Sequence, residues 1–158
     1  MKRISFIIFW CVFFIYIFVH PPAFTGIGKK EPPATKSIFS PEQIELLDAH
    51  NKIRLSKGIE SLSMNQKLCE YAQKHAEYMA EKKSMKHSSM SKLQEFCGAG
   101  LVGENIAWGQ ETVGEVMSGW MWSPMHRWNI LGSSYKKAGF GVKKDADGRN
   151  YWCVVFSD

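Results

Sequence analysis

Two kinds of patterning divide the chain. Ile4 to Val19 is a largely apolar run of sixteen residues with no charge, preceded by Lys2 and Arg3 and closed by His20, Pro21 and Pro22. Proline removes a backbone donor and stops a helix at that point. This layout predicts an export segment, either a cleaved signal or an N-terminal anchor through residues 4–19, because a full span needs about 20 apolar residues. Both readings put the rest of the chain outside the cytoplasm. Residues 1–26 are assigned to this signal peptide or anchor, 27–39 to a Pro- and Gly-containing linker, and 40–158 to one folded domain.

Beyond the linker, the polar and apolar positions fall into helical and strand periods. Ser40-Pro41-Glu42-Gln43 predicts a capped helix start, and Lys57-Gly58 its stop after Ser56. A second helix is expected over Asn65 to Glu81, with Leu68, Ala72, His75, Ala76 and Met79 on one face. Ser84 to Gly100 reads as loop. A strand is expected around Glu104 to Trp108. Thr112-Val113-Gly114-Glu115 opens a third helix, and Ser123-Pro124 restarts the chain as a short helix ending near Leu131-Gly132. Ala138 to Lys143 and Tyr151 to Phe156 flank Asp147-Gly148, a hairpin signal. Helices followed by short, late strands imply an α+β class with a mainly antiparallel sheet.

Composition changes this picture little. The 158 residues carry 20 Lys+Arg against 15 Asp+Glu, a formal charge of +5. Residues 1–26 hold two of those basic residues and eight aromatics, so the remainder is only mildly basic, at +3. No basic stripe interleaved with aromatics exists, so no nucleic-acid partner is expected. Lys82, Lys83 and Lys86 read as a solvated helix end. With Cys11 in the export segment, Cys69, Cys97 and Cys153 remain. They could hold one bridge, Cys97–Cys153 or Cys69–Cys153, or none; no C-x-x-C is present. Of the five tryptophans in the domain, Trp108, Trp120 and Trp152 are assigned to the core, and Trp122 and Trp128 to partly exposed positions.

Four histidines in the domain are candidates for chemistry. His75 sits on the apolar face of the second helix and reads as a core or boundary residue. His50, with Asn51 and Arg54, reads as a structural group tying the first helix to a neighbouring loop. His87 and His126 lie at element boundaries, where functional side chains concentrate. Glu104 lies between them in sequence.

Gly103-Glu104-Asn105-Ile106-Ala107-Trp108-Gly109-Gln110, followed by W-x-x-S-P-x-H-R-x-N-I-L from Trp120 to Leu131, resembles the bacterial branch of the CAP superfamily. That superfamily groups cysteine-rich secretory proteins, antigen 5 and plant pathogenesis-related proteins. His50-Asn51-x-x-Arg54, Lys86-His87-Ser88, Gly139-Phe140-Gly141-Val142 and Tyr151 to Phe156 match its other motifs in order, so the resemblance runs from Ser40 to Asp158.

The resemblance implies a three-layer α-β-α sandwich with a central cleft. His87, Glu104 and His126 match three members of a four-residue cleft constellation, and Ser123 stands where the fourth, a glutamate, is usual. Met125 replaces a usual glycine before the second histidine, which is expected to narrow the cleft mouth. Asn105, Arg127 and Asn129 belong to the same motifs and are assigned structural roles. Two imidazoles and a carboxylate suit zinc or another divalent ion, weakly bound, with one open coordination position. The expected function is a secreted or surface-tethered binding module for an unidentified lipid, peptide or protein. The alternatives are a metal-assisted extracellular hydrolase and a lipid- or membrane-binding module, with membrane contact through the N-terminal segment if it is retained.

Overall fold

The computed structural model describes residues 37–158. The expected export segment, residues 1–26, and residues 27–36 of the expected linker lie outside the described residues. Five helices and four strands follow in the order α1 (Pro41–Ser56), β1 (Ser63–Met64), α2 (Gln66–Lys82), α3 (Met90–Cys97), β2 (Val102–Trp108), α4 (Val113–Trp122), α5 (Pro124–Leu131), β3 (Lys137–Lys144) and β4 (Asn150–Ser157). The capping box at Ser40 and Gln43 forms, each side chain bonding the other's backbone N–H. At Thr112 only half of the box forms: the Thr112 hydroxyl caps Glu115, but the Glu115 carboxylate accepts from the N–H of Glu111.

The sheet runs β1-β3-β4-β2. β4 pairs antiparallel with both β3 and β2, while β1 pairs parallel with β3 through two residues. The sheet is therefore mixed, and β1 is an addition to the sequence reading. The loop expected over Ser84 to Gly100 also needs correction, because α3 occupies Met90–Cys97. Two turns give too few positions for a period to show, and α3 buries only Leu93.

Every residue of β4 is buried. Trp152, Val154 and Phe156 belong to one apolar cluster with residues of α1, α4 and α5, while Tyr151, Cys153 and Val155 belong to another with residues of α2 and α3. Successive strand residues point to opposite faces. That alternation is the three-layer α-β-α sandwich: one strand feeding two cores.

The α2 layer lies unusually close to the sheet. A Cβ at Gly139 would penetrate backbone atoms of Leu68 and Cys69, and one at Gly141 would penetrate those of Ala72 and Gln73. The Gly139-Phe140-Gly141 motif thus lets the α2 backbone rest on β3 with no side chain between them.

Candidate functional site

Glu104 sits on β2 with its side chain fully buried, on the sheet face it shares with Cys153. Its carboxylate is heavily engaged. Oε1 accepts from Nδ1 of His87 at 2.8 Å and from the backbone N–H of Ser88 at 2.9 Å. Oε2 accepts from the Ser88 hydroxyl at 2.5 Å. Nε2 of His75 stands 3.8 Å from the same oxygen, and the Cys153 thiol 3.9 Å.

The loop carrying His87 and Ser88 leaves α2 through Lys83, which adopts the left-handed conformation at φ 47°. The His87 side chain is 54% exposed. Because the carboxylate oxygen accepts, Nδ1 of His87 carries the proton. In the neutral ring Nε2 then keeps a lone pair, with no protein partner among the described residues.

His126 approaches from α5. It is half-buried, and its pKa is lowered, first by burial and then by the nearby His87. Two asparagines fix the helix to β2. Asn105 donates to the carbonyl of His126 at 3.0 Å, and Asn129 donates to the Asn105 side chain at 2.9 Å and to the Glu104 carbonyl at 3.2 Å. Arg127 donates once, to the Met121 carbonyl at 3.2 Å.

A cavity of about 270 Å³ opens beside His126, lined by Met85, Trp108, Val116, Trp120 and Ser123 among others. Gln110 also lines it, and its buried Oε1 has no hydrogen-bond partner. Met125 points into solvent, 74% exposed, and Met85 is the methionine in the cavity wall. Trp108 corrects the sequence reading, being 46% exposed. It ends β2 at the sheet edge, stacked on Tyr151 and beneath the Arg149 guanidinium. Trp120 and Trp152 are buried, and Trp122 and Trp128 are exposed.

The first-helix motif lies elsewhere, sealed in the other core. Arg54 is fully buried and donates to four carbonyls, those of Glu60, Ile130, Gly132 and Tyr135, at 2.8–3.0 Å. Asn51 pairs with both backbone groups of Leu62. His50 donates from Nδ1 to the Leu46 carbonyl at 2.7 Å, and its Nε2 has no partner. Trp120, Phe140 and Phe156 surround the ring. Burial, opposed by the Leu46 bond and aided by Arg54, lowers the His50 pKa to about 4.

Sequence reasoning missed the part played by His75, which also hydrogen-bonds the Lys86 carbonyl at 2.8 Å. Its place on the buried face of α2 was the available signal, because that face looks towards the Glu104 side of the sheet. The roles of Ser88 and Cys153 at the carboxylate had no sequence signal. Cys69, Cys97 and Cys153 are all unbridged. The Cys153 thiol pKa is pushed well up by burial and by Glu104.

Among the described residues no group of three or more His, Cys, Asp or Glu side chains is placed to hold a metal ion. Glu104 is taken up by protein donors and fits an orienting role behind His87. His87 lies near enough to His126 to lower its pKa. Ser88 and His87 both turn to Glu104 and make no bond to each other, so these two do not form a Ser–His pair of the triad kind.

Residues 47–156 match the model of the cysteine-rich secretory protein family, CAP. The chain is 31% identical over 123 residues to an uncharacterized membrane protein of Bacillus subtilis, YlbC, covering 73% of this chain and 36% of that one. It is 30% identical over 116 residues to a second uncharacterized B. subtilis protein, YkwD, covering 69% and 44%. It thus spans less than half the length of these two relatives. An outer surface protein of Borrelia burgdorferi superposes with a TM-score of 0.66 at 21% identity, covering 73% of this chain and 90% of that one. An extracellular protein of Bacillus anthracis containing an SCP domain gives 0.62 at 26%, covering 73% and 40%. NaASP2, solved with Zn²⁺, gives 0.57 at 14%, covering 74% and 80%.

Proposed function

The chain belongs to the cysteine-rich secretory protein (CAP) family, and from that premise we propose that it is an extracytoplasmic binding module whose cleft holds a divalent metal ion. The export segment and the extracellular SCP-domain relative support the location. His87 and His126 would ligate the ion, Glu104 would orient His87, and Ser123 would border the open side. The observation that carries the reading is the Glu104–His87 bond. A buried carboxylate holding Nδ1 leaves Nε2 as the outward lone pair, which is how histidine ligands are commonly set. Burial, and then the nearby His87, lower the His126 pKa, which favours the neutral ring that can ligate. Two protein ligands make the site weak, and the remaining positions fall to solvent or to the bound partner. A zinc ion there would supply Lewis acidity.

Calorimetry with Zn²⁺ tests the proposal. Binding is expected near neutral pH, lost with either His87→Ala or His126→Ala, and weakened about 10–100-fold by Glu104→Gln. Unchanged affinity in the His126→Ala protein would remove the proposal.

A further inference from the structure

Helix α5 presents side chains in two directions. His126, Asn129 and Ile130 turn towards β2 and the core. Pro124, Arg127, Trp128 and Leu131, at i, i+3, i+4 and i+7, share the other face and wall a cavity of about 410 Å³. Leu101, before β2, and the segment Gly132 to Tyr135 complete it. This volume lies within the range of small-molecule sites.

Arg127 is the one charged residue in that wall. Its guanidinium makes a single hydrogen bond, to Met121, and no ion pair among the described residues. A guanidinium offers five N–H donors in a planar fork, so most of them remain for an incoming acceptor. Tyr135 adds a hydroxyl, which lies over Gly103 and has no hydrogen-bond partner among the described residues. Ser133 and Ser134 add hydroxyls to the same wall. The rest is apolar, with Trp128 66% exposed and Leu101 38% exposed.

One cation without a counter-ion, beside an apolar wall, matches a singly charged anion with an apolar body. A phosphate dianion would leave charge unpaired in such a wall, whereas a carboxylate fits the guanidinium fork two-pronged. We infer that this cavity is a second ligand site, separate from the histidine cleft, that takes a small organic carboxylate. The carboxylate lies in the fork of Arg127, and the body rests against Trp128, Leu131 and Leu101.

The test is calorimetry of the full chain in lipid nanodiscs, with empty nanodiscs as the blank. The probes are 3-phenylpropanoate, its neutral amide 3-phenylpropanamide, and N-acetylphenylalanine as a mimic of a peptide C-terminus. The acid is expected to bind at least tenfold more tightly than the amide. Arg127→Gln removes that preference and Arg127→Lys keeps part of it. Tyr135→Phe weakens the acid a few-fold without lowering the melting temperature, since its hydroxyl makes no internal bond. Tighter binding of N-acetylphenylalanine than of 3-phenylpropanoate would support the site and point to a peptide end as the source; the reverse order would support it with a free acid. Equal binding of acid and amide overturns the inference. So does an affinity for the acid that stays within twofold in both Arg127 variants.

Discussion

The motif on α1 and the cluster around Glu104 use the same kinds of residue to opposite ends. His50, Asn51 and Arg54 turn inward, and nearly every donor they own is spent on a backbone carbonyl. The Glu104 carboxylate is equally buried, yet it holds an imidazole that is 54% exposed. Each histidine has one nitrogen fixed and one without a protein partner. For His50 the free nitrogen is enclosed by Trp120, Phe140 and Phe156 and can take nothing. For His87 it belongs to a ring that is half exposed to solvent. Residue type is therefore a poor guide to role here, and the surroundings of the second nitrogen are a better one.

The largest expected effect breaks the inward cluster. Arg54→Met removes four hydrogen bonds and strands the carbonyls that fasten the end of α5. It should cost about 4 kcal/mol in urea denaturation. A loss under about 1 kcal/mol would show that water replaces the guanidinium and that the cluster is not structural.

The next separates the two histidines by pH. His50 has a folded pKa near 4, below the unfolded value of 6.5. Between those values the unfolded chain binds the proton and the native one does not, so stability rises with pH. It should fall by roughly 3 kcal/mol on going from pH 6.5 to pH 4. His50→Leu should flatten that slope. His126 is displaced in the same direction, so some slope remains. A slope identical to wild type in the variant would refute the assignment.

Glu104→Gln tests whether the second cluster shares the structural burden. An amide cannot accept from His87 and from both Ser88 donors, and about 2 kcal/mol should be lost in thermal melts alongside the weaker metal binding. His126→Ala should be the mildest change in stability, below about 1 kcal/mol, while abolishing Zn²⁺ binding. That split between stability and binding is what would set the open cluster apart from the closed one.

Much of this layout was legible in the sequence. The long helices carried capping residues and a helical period, and the β3–β4 hairpin carried alternation around Asp147-Gly148. α3 and β1 were not legible, because eight and two residues respectively are too few to show a period. The edge position of Trp108 depends on the order β1-β3-β4-β2, which no local pattern encodes. His75 illustrates the same limit at the site. Its helix face could be read, but which side of the sheet that face would meet, and so its nearness to Glu104, followed only from the pairing of the strands.

The glycine pair on β3 also bears on the cleft. Because the α2 backbone touches the strand directly at Gly139 and Gly141, the gap between them has no side chain whose rotamer could take up slack. His75 rides on that helix, and the loop bearing His87 leaves its end, so two hydrogen atoms on β3 act as the gauge for the reach of both rings towards β2. A methyl group added at either glycine would leave every residue of the site in the chain and put the site out of calibration.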